Sequence, residues 1–134
     1  MDMYIYTAWD DSRAIYPGNR PENFLLDLPH TLSLQGDWYI ALCDVKIKTQ
    51  TKKSVFVLCD VCEESYVKGS KYPVLNRLDT TRTEIANLCF LKVIVQDIQR
   101  IRIWLLMEDW ERAEVSDFKC TLCIKRKNPG NNEW

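Results

Sequence analysis

The residues best suited to chemistry in this sequence are its six cysteines, four of which form two C-x-x-C pairs. The pairs are Cys59 with Cys62 and Cys120 with Cys123. Two such pairs are the usual ligand set of a four-thiolate zinc site. Both pairs fall in or at the end of segments with strand periodicity, where residues i and i+3 point to opposite faces. We therefore predict core or surface thiols and no metal site; the alternative is a zinc-stabilised domain with these four ligands.

Other side chains that could catalyse a reaction are few. The single histidine, His30, lies in a turn at 28–32, and nothing beside it in sequence marks a nucleophile. Asp10, Asp11 and the acidic stretch 108–117 supply carboxylates, but their spacing does not mark a paired acid and base. With only four glycines there is little room for a phosphate-binding loop. The sequence therefore predicts no enzyme and no cofactor.

Charge and length limit the remaining classes. The chain of 134 residues has 18 Lys and Arg against 19 Asp and Glu, a formal net charge of -1. This balance argues against specific nucleic-acid binding, because no excess of basic residues is available to displace counterions. We expect one domain over 1–134, with its core at about 16–127 and short N- and C-terminal tails.

Location is predicted from the N-terminus and the apolar runs. The first residues have no basic start and no unbroken apolar segment, so we expect no secretory signal. No run approaches the ~18 apolar residues required to span a bilayer, so no membrane insertion is expected. A reducing cell interior is then the expected compartment, and the cysteines are expected to be free thiols.

The elements that position these residues are strands, because apolar residues recur mostly with a period of two. Weaker strand candidates are 3–8 and 72–78, while 108–117 fits either a helix or a surface loop. Strands separated by turns, without helical patterns between them, predict an all-β, eight-stranded antiparallel β-sandwich, a single jelly roll. The clear strands are 23–28, 38–48, 54–61, 88–95, 100–106 and 118–126.

Tryptophans and charged stretches supply interface candidates. Trp104 shares a strand face with Arg100 and Arg102, which indicates either an outward position suited to a protein interface or burial between the sheets. The basic stretch 46–53 and the acidic stretch 108–117 are of opposite sign, and we expect them to form complementary flanks of neighbouring subunits. The interface candidates are Trp9, Lys52, Lys53, Trp104, Trp110, Glu111 and Trp134.

Three segments, taken in order, resemble one protein family. The first is Tyr16-Pro17-Gly18-Asn19, then NFLLDLP at 23–29 and LSLQGDWYIAL at 32–42. The second is VLCDV at 57–61, followed by YVKG at 66–69 and PVLNRL at 73–78. The third is the strand pair 98–106 and 118–126. Together they are similar to the minor capsid, penton-type proteins of Polinton or Maverick elements and adintovirus-like viruses.

The resemblance implies a virion structural protein. Its expected role is a single jelly-roll minor capsid subunit that forms homopentamers at icosahedral vertices and contacts a double jelly-roll major capsid protein. The expected location is the capsid, assembled inside the host cell. The two ends, 1–11 and 128–134, are expected to attach to neighbouring capsid proteins, or else to fray. The alternative function is a soluble β-sandwich module that binds a host or cellular protein.

Overall fold

Ten β-strands make up the regular structure of the chain in a computed structural model that describes residues 2–82, 84–85 and 87–127. The described residues contain no helix, and so none long and apolar enough to cross a membrane. The strands are β1 (Asp2–Ala8), β2 (Asn23–Ser33), β3 (Trp38–Thr49), β4 (Val55–Cys59), β5 (Ser65–Val67), β6 (Ser70–Tyr72), β7 (Val74–Leu78), β8 (Leu91–Lys92), β9 (Asp97–Met107) and β10 (Val115–Arg126).

Eight of these strands form two four-stranded antiparallel sheets, with strand orders β1-β10-β3-β8 and β2-β9-β4-β7. The pairing is nested: β1 pairs with β10, β2 with β9, β3 with β8 and β4 with β7. Contacts of β10 with β3 and of β9 with β4 complete the sheets. The predicted all-β antiparallel sandwich is therefore confirmed.

The core lies between the sheets and follows from the alternation of apolar side chains along each strand. In β9, Ile101, Ile103 and Leu105 are at most 1% exposed, whereas their neighbours point outward. The rings of Phe24 in β2 and Phe118 in β10 meet across the core with centroids 6.0 Å apart. Large inward side chains from both sheets thus exclude water from a shared interior, which is the main stabilising contribution to the fold.

A bulge in β3 reverses the alternation that the sequence suggested. The sequence pattern predicts that Cys43 shares a face with Val45, but the register against β10 shifts between Thr121 and Leu122. Leu42 is opposite Leu122 and Val45 is opposite Cys120, and all four belong to the core. The extra residue on β3 lets the apolar Ile40 and Leu42 and the later Val45 all face inward. In the sequence, the face that begins with the apolar Ile40 and Leu42 ends in charged residues, and the bulge explains this change.

One local expectation is corrected and two open ones are decided, since 108–114 forms the expected surface loop and the strand candidate 3–8 is confirmed. The segment 88–95 forms only the two-residue strand β8, and Leu88 and Ile94 remain about 60% exposed. The stretch 108–117 is a turn followed by the start of β10, with no helix. Residues 2–8 belong to a sheet as β1, so they are not a free tail. The sequence analysis also missed the hairpin β5–β6, whose strands have only three residues each.

Candidate functional site: the loop end and the sheet edges

Three connections lie together at one end of the sandwich, which we call the loop end: 9–22, 50–54 and 108–114. The register places them there, because the end of β1 meets the start of β10, and the start of β4 meets the ends of β7 and β9. The predicted interface residues Trp9, Lys52, Lys53, Trp110 and Glu111 all belong to this end. Trp134 lies outside the described residues.

Trp110 is fixed in place, not free for a partner. Its backbone has φ 64°, in the left-handed region that bulky residues rarely adopt. Its indole stacks on Tyr72 with centroids 4.2 Å apart and on Phe56 at 5.3 Å. Nearby, Lys68 Nζ at the tip of the β5–β6 hairpin donates to the Glu108 carbonyl. The hairpin and Trp110 thus lie over the outer face of the second sheet, and the stacking holds the strained backbone.

Trp9 and Trp104 also have partners within the chain. The Trp9 indole N–H donates to Asp117 Oδ1 at 3.1 Å, and the ring packs against the core. Trp104 lies on the outer face of the second sheet, the outward one of its two expected positions, while Ile103 and Leu105 face the core. The Arg102 guanidinium carbon lies 4.3 Å from its ring centroid. This cation–π contact stabilises the outer surface of the sheet, and the Trp104 indole remains partly exposed.

The charged stretches do not form opposite flanks. Asp117 in β10 is directly opposite Lys48 in β3. The Thr49 hydroxyl also donates to the Glu114 carbonyl at 2.7 Å. The basic and acidic stretches are therefore neighbours within one subunit, and the expected pairing of one flank with another is corrected. Lys52, Lys53 and Glu111 remain exposed at the loop end.

The four cysteines of the zinc alternative are not brought together. Cys59, Cys62 and Cys120 belong to the core, whereas Cys123 lies on the other face of β10, next to Cys43. Among the described residues, no cluster of three or more His, Cys, Asp or Glu side chains could hold a metal ion. Burial raises the pKa of the Cys62 and Cys120 thiols to about 12, which favours neutral thiols in the core. All six cysteines are free thiols.

Segments of the chain itself close the β8 edge and the first half of the β2 edge, two of the four edges of the main sheets. The outward N–H of Leu25 in β2 donates to Asn19 Oδ1 at 2.9 Å, and the Leu25 carbonyl accepts from Asn19 Nδ2 at 2.8 Å. The N–H of Asp27 donates to the Ser12 hydroxyl at 2.9 Å, and Asn23 exchanges two backbone bonds with Arg20. The connection 9–22 thus occupies the whole edge of β2 from 23 to 27.

The edge of β8 is closed in the same way. The N–H of Lys92 donates to Glu63 Oε1 at 3.0 Å, and its carbonyl accepts from the Glu63 N–H at 2.8 Å. The N–H of Ile94 donates to the Val61 carbonyl at 3.0 Å. No added strand can pair with the β8 edge while these bonds exist.

The remaining edge, at β7, has five residues, and the N–H of Arg77 donates to the Asn76 side chain.

Sequence reasoning missed Asn19 and Ser12, although both are over 90% buried. The available signal was the Pro17-Gly18-Asn19 turn just before a strongly alternating strand. A buried polar side chain must be hydrogen-bonded, and an uncovered strand edge is the nearest set of donors and acceptors.

No protein-family model and no curated protein matches the chain.

Proposed function

We propose that this protein is a viral structural protein, a single jelly-roll minor capsid or penton subunit that forms pentamers at icosahedral vertices. The observation that carries the proposal is the nested strand pairing, in which β1 pairs with β10, β2 with β9, β3 with β8 and β4 with β7. A jelly roll is such a nested hairpin of eight strands rolled into two sheets, and viral capsid proteins use it widely. The β5–β6 hairpin is then an insertion between the fourth and fifth strands of the roll.

The loop end supplies the surface for ring formation. In a cyclic assembly, one surface of each subunit must fit a different surface of the next. Lys52, Lys53 and Glu111 are exposed at this end, where the stacking on Tyr72 and Phe56 also holds Trp110 in place. The formal net charge of -1 permits close packing of identical copies. The second expected partner is a double jelly-roll major capsid protein, and the location is the virion.

The test is electron microscopy and native mass measurement of the purified protein. Rings of five copies, or co-assembly with a double jelly-roll major capsid protein, support the proposal. Lys52→Glu should weaken ring formation, whereas Lys71→Glu, an equal charge change on the exposed strand β6, should leave it intact. Equal effects of the two substitutions, or no ring under any condition, would contradict the ring-forming role.

A second candidate is a soluble β-sandwich module that binds a cellular protein. It is favoured by Tyr4 and Tyr6, which are 54% and 77% exposed on one strand. Tyrosine is enriched at protein interfaces, because its ring contributes apolar area and its hydroxyl a hydrogen bond. A monomer or dimer that captures a cellular protein, with no rings, supports this candidate.

A further inference from the structure

The outer edge of β1 presents unpaired backbone groups. The Trp9 N–H donates to the Phe118 carbonyl at 3.2 Å, so these two residues form a hydrogen-bonded pair. Such pairs alternate along an antiparallel ladder. The odd-numbered residues of β1 therefore bond to β10, and the N–H and C=O groups of the even-numbered residues point away from the sheet.

Of these even-numbered residues, Ala8 is already satisfied. Its N–H donates to Asp11 Oδ2 at 2.8 Å, and its carbonyl accepts from the Asp11 N–H at 3.1 Å. In the described part of the chain, β1 pairs with β10 alone. The N–H and C=O groups of Asp2, Tyr4 and Tyr6 are thus left for a strand outside the subunit.

The sequence of β1 lacks the usual protection of an exposed edge. Natural edge strands are interrupted by Pro, Lys or a bulge, or they are covered by a loop. β1 has seven residues with no Pro or Lys, and it pairs with β10 without a register shift. Its inward Met3 and Ile5 are only partly buried against the core, so apolar area is also available along this edge.

We propose that β1 pairs antiparallel with β1 of a second copy of this chain, across a two-fold axis, so that two sheets become one continuous sheet. A second copy is the expected partner because of the state of the other sheet edges. The β8 edge and the edge of β2 from 23 to 27 are closed by the chain itself, and β7 is short with one of its N–H groups occupied. The long open edge that a second copy offers is therefore β1, which makes the contact isologous.

Backbone parity fixes which registers are possible. In a two-fold antiparallel pair, two even-numbered residues must face each other to exchange hydrogen bonds. The register centred on Tyr4 places Tyr4 opposite its own copy and Asp2 opposite Tyr6. Met3 then lies opposite Ile5 on the inner face, which continues the apolar core across the axis. The two tyrosine rings at the axis form a cross-strand aromatic pair, a stabilising arrangement.

The decisive variant is Tyr4→Pro, compared with Tyr4→Ala. Proline removes an N–H that is not used within the subunit, and it is tolerated at such positions of edge strands. Both variants lose the ring, but only Tyr4→Pro blocks the two bonds at the axis. We expect sedimentation equilibrium to show a dimer dissociation constant at least about tenfold higher for Tyr4→Pro than for Tyr4→Ala. Equal dissociation constants overturn the proposal.

A charge variant tests the same contact without proline. Tyr4→Lys places two ammonium groups opposite each other at the axis and should convert the dimer to a monomer. Tyr66→Lys is the matched control, because Tyr66 is 75% exposed on the β5–β6 hairpin and should leave the dimer intact. Circular dichroism confirms that each variant is folded. A dimer that survives Tyr4→Lys, or that Tyr66→Lys disrupts equally, overturns the proposal.

The copy number separates this proposal from the capsid proposal. Edge pairing alone predicts two copies. If rings of five also form, pairing each subunit of one ring with a subunit of a second ring gives ten copies. A mass of one or five copies that does not change with concentration overturns edge pairing. Rings of five that persist in Tyr4→Lys support the capsid function. A wild-type protein that forms the dimer but no rings contradicts the capsid function and leaves edge pairing intact.

Discussion

Strands β1 and β2 each lie at an edge of a sheet, yet the chain treats the two edges in opposite ways. The edge of β2 is occupied from 23 to 27 by Arg20, Asn19 and Ser12. The edge of β1 is satisfied only at Ala8, by Asp11. All four of these residues belong to the connection 9–22, which runs back along β2 and covers β1 only at Ala8. One connection therefore closes the edge of one sheet at 23–27 and leaves the β1 edge of the other sheet available for association.

The difference extends from the backbone to the core. β2 contributes Phe24, Leu26 and Leu28, all less than 9% exposed. β1 contributes Met3 and Ile5, which are only partly buried. In β2, the covering connection also excludes water from the rim of the inward side chains. We therefore expect β2 to be part of the cooperative core and β1 to be the strand that opens most easily.

The largest expected effect contrasts the inward side chains of the two strands. Phe24→Ala should lower the free energy of unfolding by roughly 3–5 kcal/mol, because it leaves a cavity beside Phe118. Ile5→Ala should cost clearly less, about 1–2 kcal/mol, because its site is half-open to solvent and to rearrangement. Urea denaturation of both variants at a concentration that keeps the protein monomeric measures the contrast. Equal losses would show that β1 is as fully integrated as β2.

The next effect concerns the closed edge itself. Asn19→Ala removes both side-chain bonds to Leu25 and leaves a shielded N–H and C=O without partners. An unsatisfied buried polar group costs about 1–3 kcal/mol, so we expect a loss of about 2 kcal/mol. The variant should also aggregate more readily, because it uncovers the edge of β2. Arg13→Ala, an exposed position in the same connection, is the control and should leave solubility unchanged.

Much of this architecture could be predicted from the sequence. The alternation in β2, β9 and β10 is regular, and the predicted strands 23–28, 100–106 and 118–126 all lie within them. The face of β3 was predicted wrongly, because the position of a bulge is set by the register with β10 and shows in the sequence only as a face that begins apolar and ends charged. The segment 88–95 was misjudged for a related reason: apolar composition favours a strand, but pairing partners determine its length, and only Leu91 and Lys92 pair with β3.

Sequence could select the interface candidates but could not place them relative to one another. Charge and aromatic content selected Trp9, Lys52, Lys53, Trp110 and Glu111, and the topology brings all of them to the loop end. That Asp117 would be opposite Lys48 depends on strand register, which no local pattern specifies. The closure of the β2 edge depends on Asn19, whose role follows from a long connection folding back over the strand.

A third, smaller effect is a loss of stability at alkaline pH on the β1 side of the core. The Cys120 thiol lies 3.3 Å from the Thr7 hydroxyl of β1, and burial raises its pKa from 9.0 to about 12. Below pH 9 the thiol is neutral in both states. As the pH rises above 9, the unfolded chain releases a proton that the folded chain retains until about pH 12, so stability falls through this range.

The expected loss from this thiol is roughly 1 kcal/mol at about pH 10. Urea midpoints of the wild-type protein and of Cys120→Ala, measured between neutral and alkaline pH, test it. The variant should be less stable at neutral pH but should lose less stability on going to about pH 10. Parallel pH profiles for the two proteins would mean that Cys120 does not contribute to the alkaline transition.

The smallest effect on stability is expected for Asp11, which binds the outward N–H of Ala8 on the otherwise open edge of β1. Asp11→Ala removes the acceptor of the Ala8 N–H, but Asp11 is exposed, so water can replace the lost bond. We expect a loss of about 0.5 kcal/mol, since a solvated hydrogen bond contributes little net free energy. Asp10→Ala, the exposed neighbour, is the matched control for the charge change. A loss as large as that of Asn19→Ala would mean that β1 depends on its edge closure as β2 does, and the contrast between a closed and an open edge would fail.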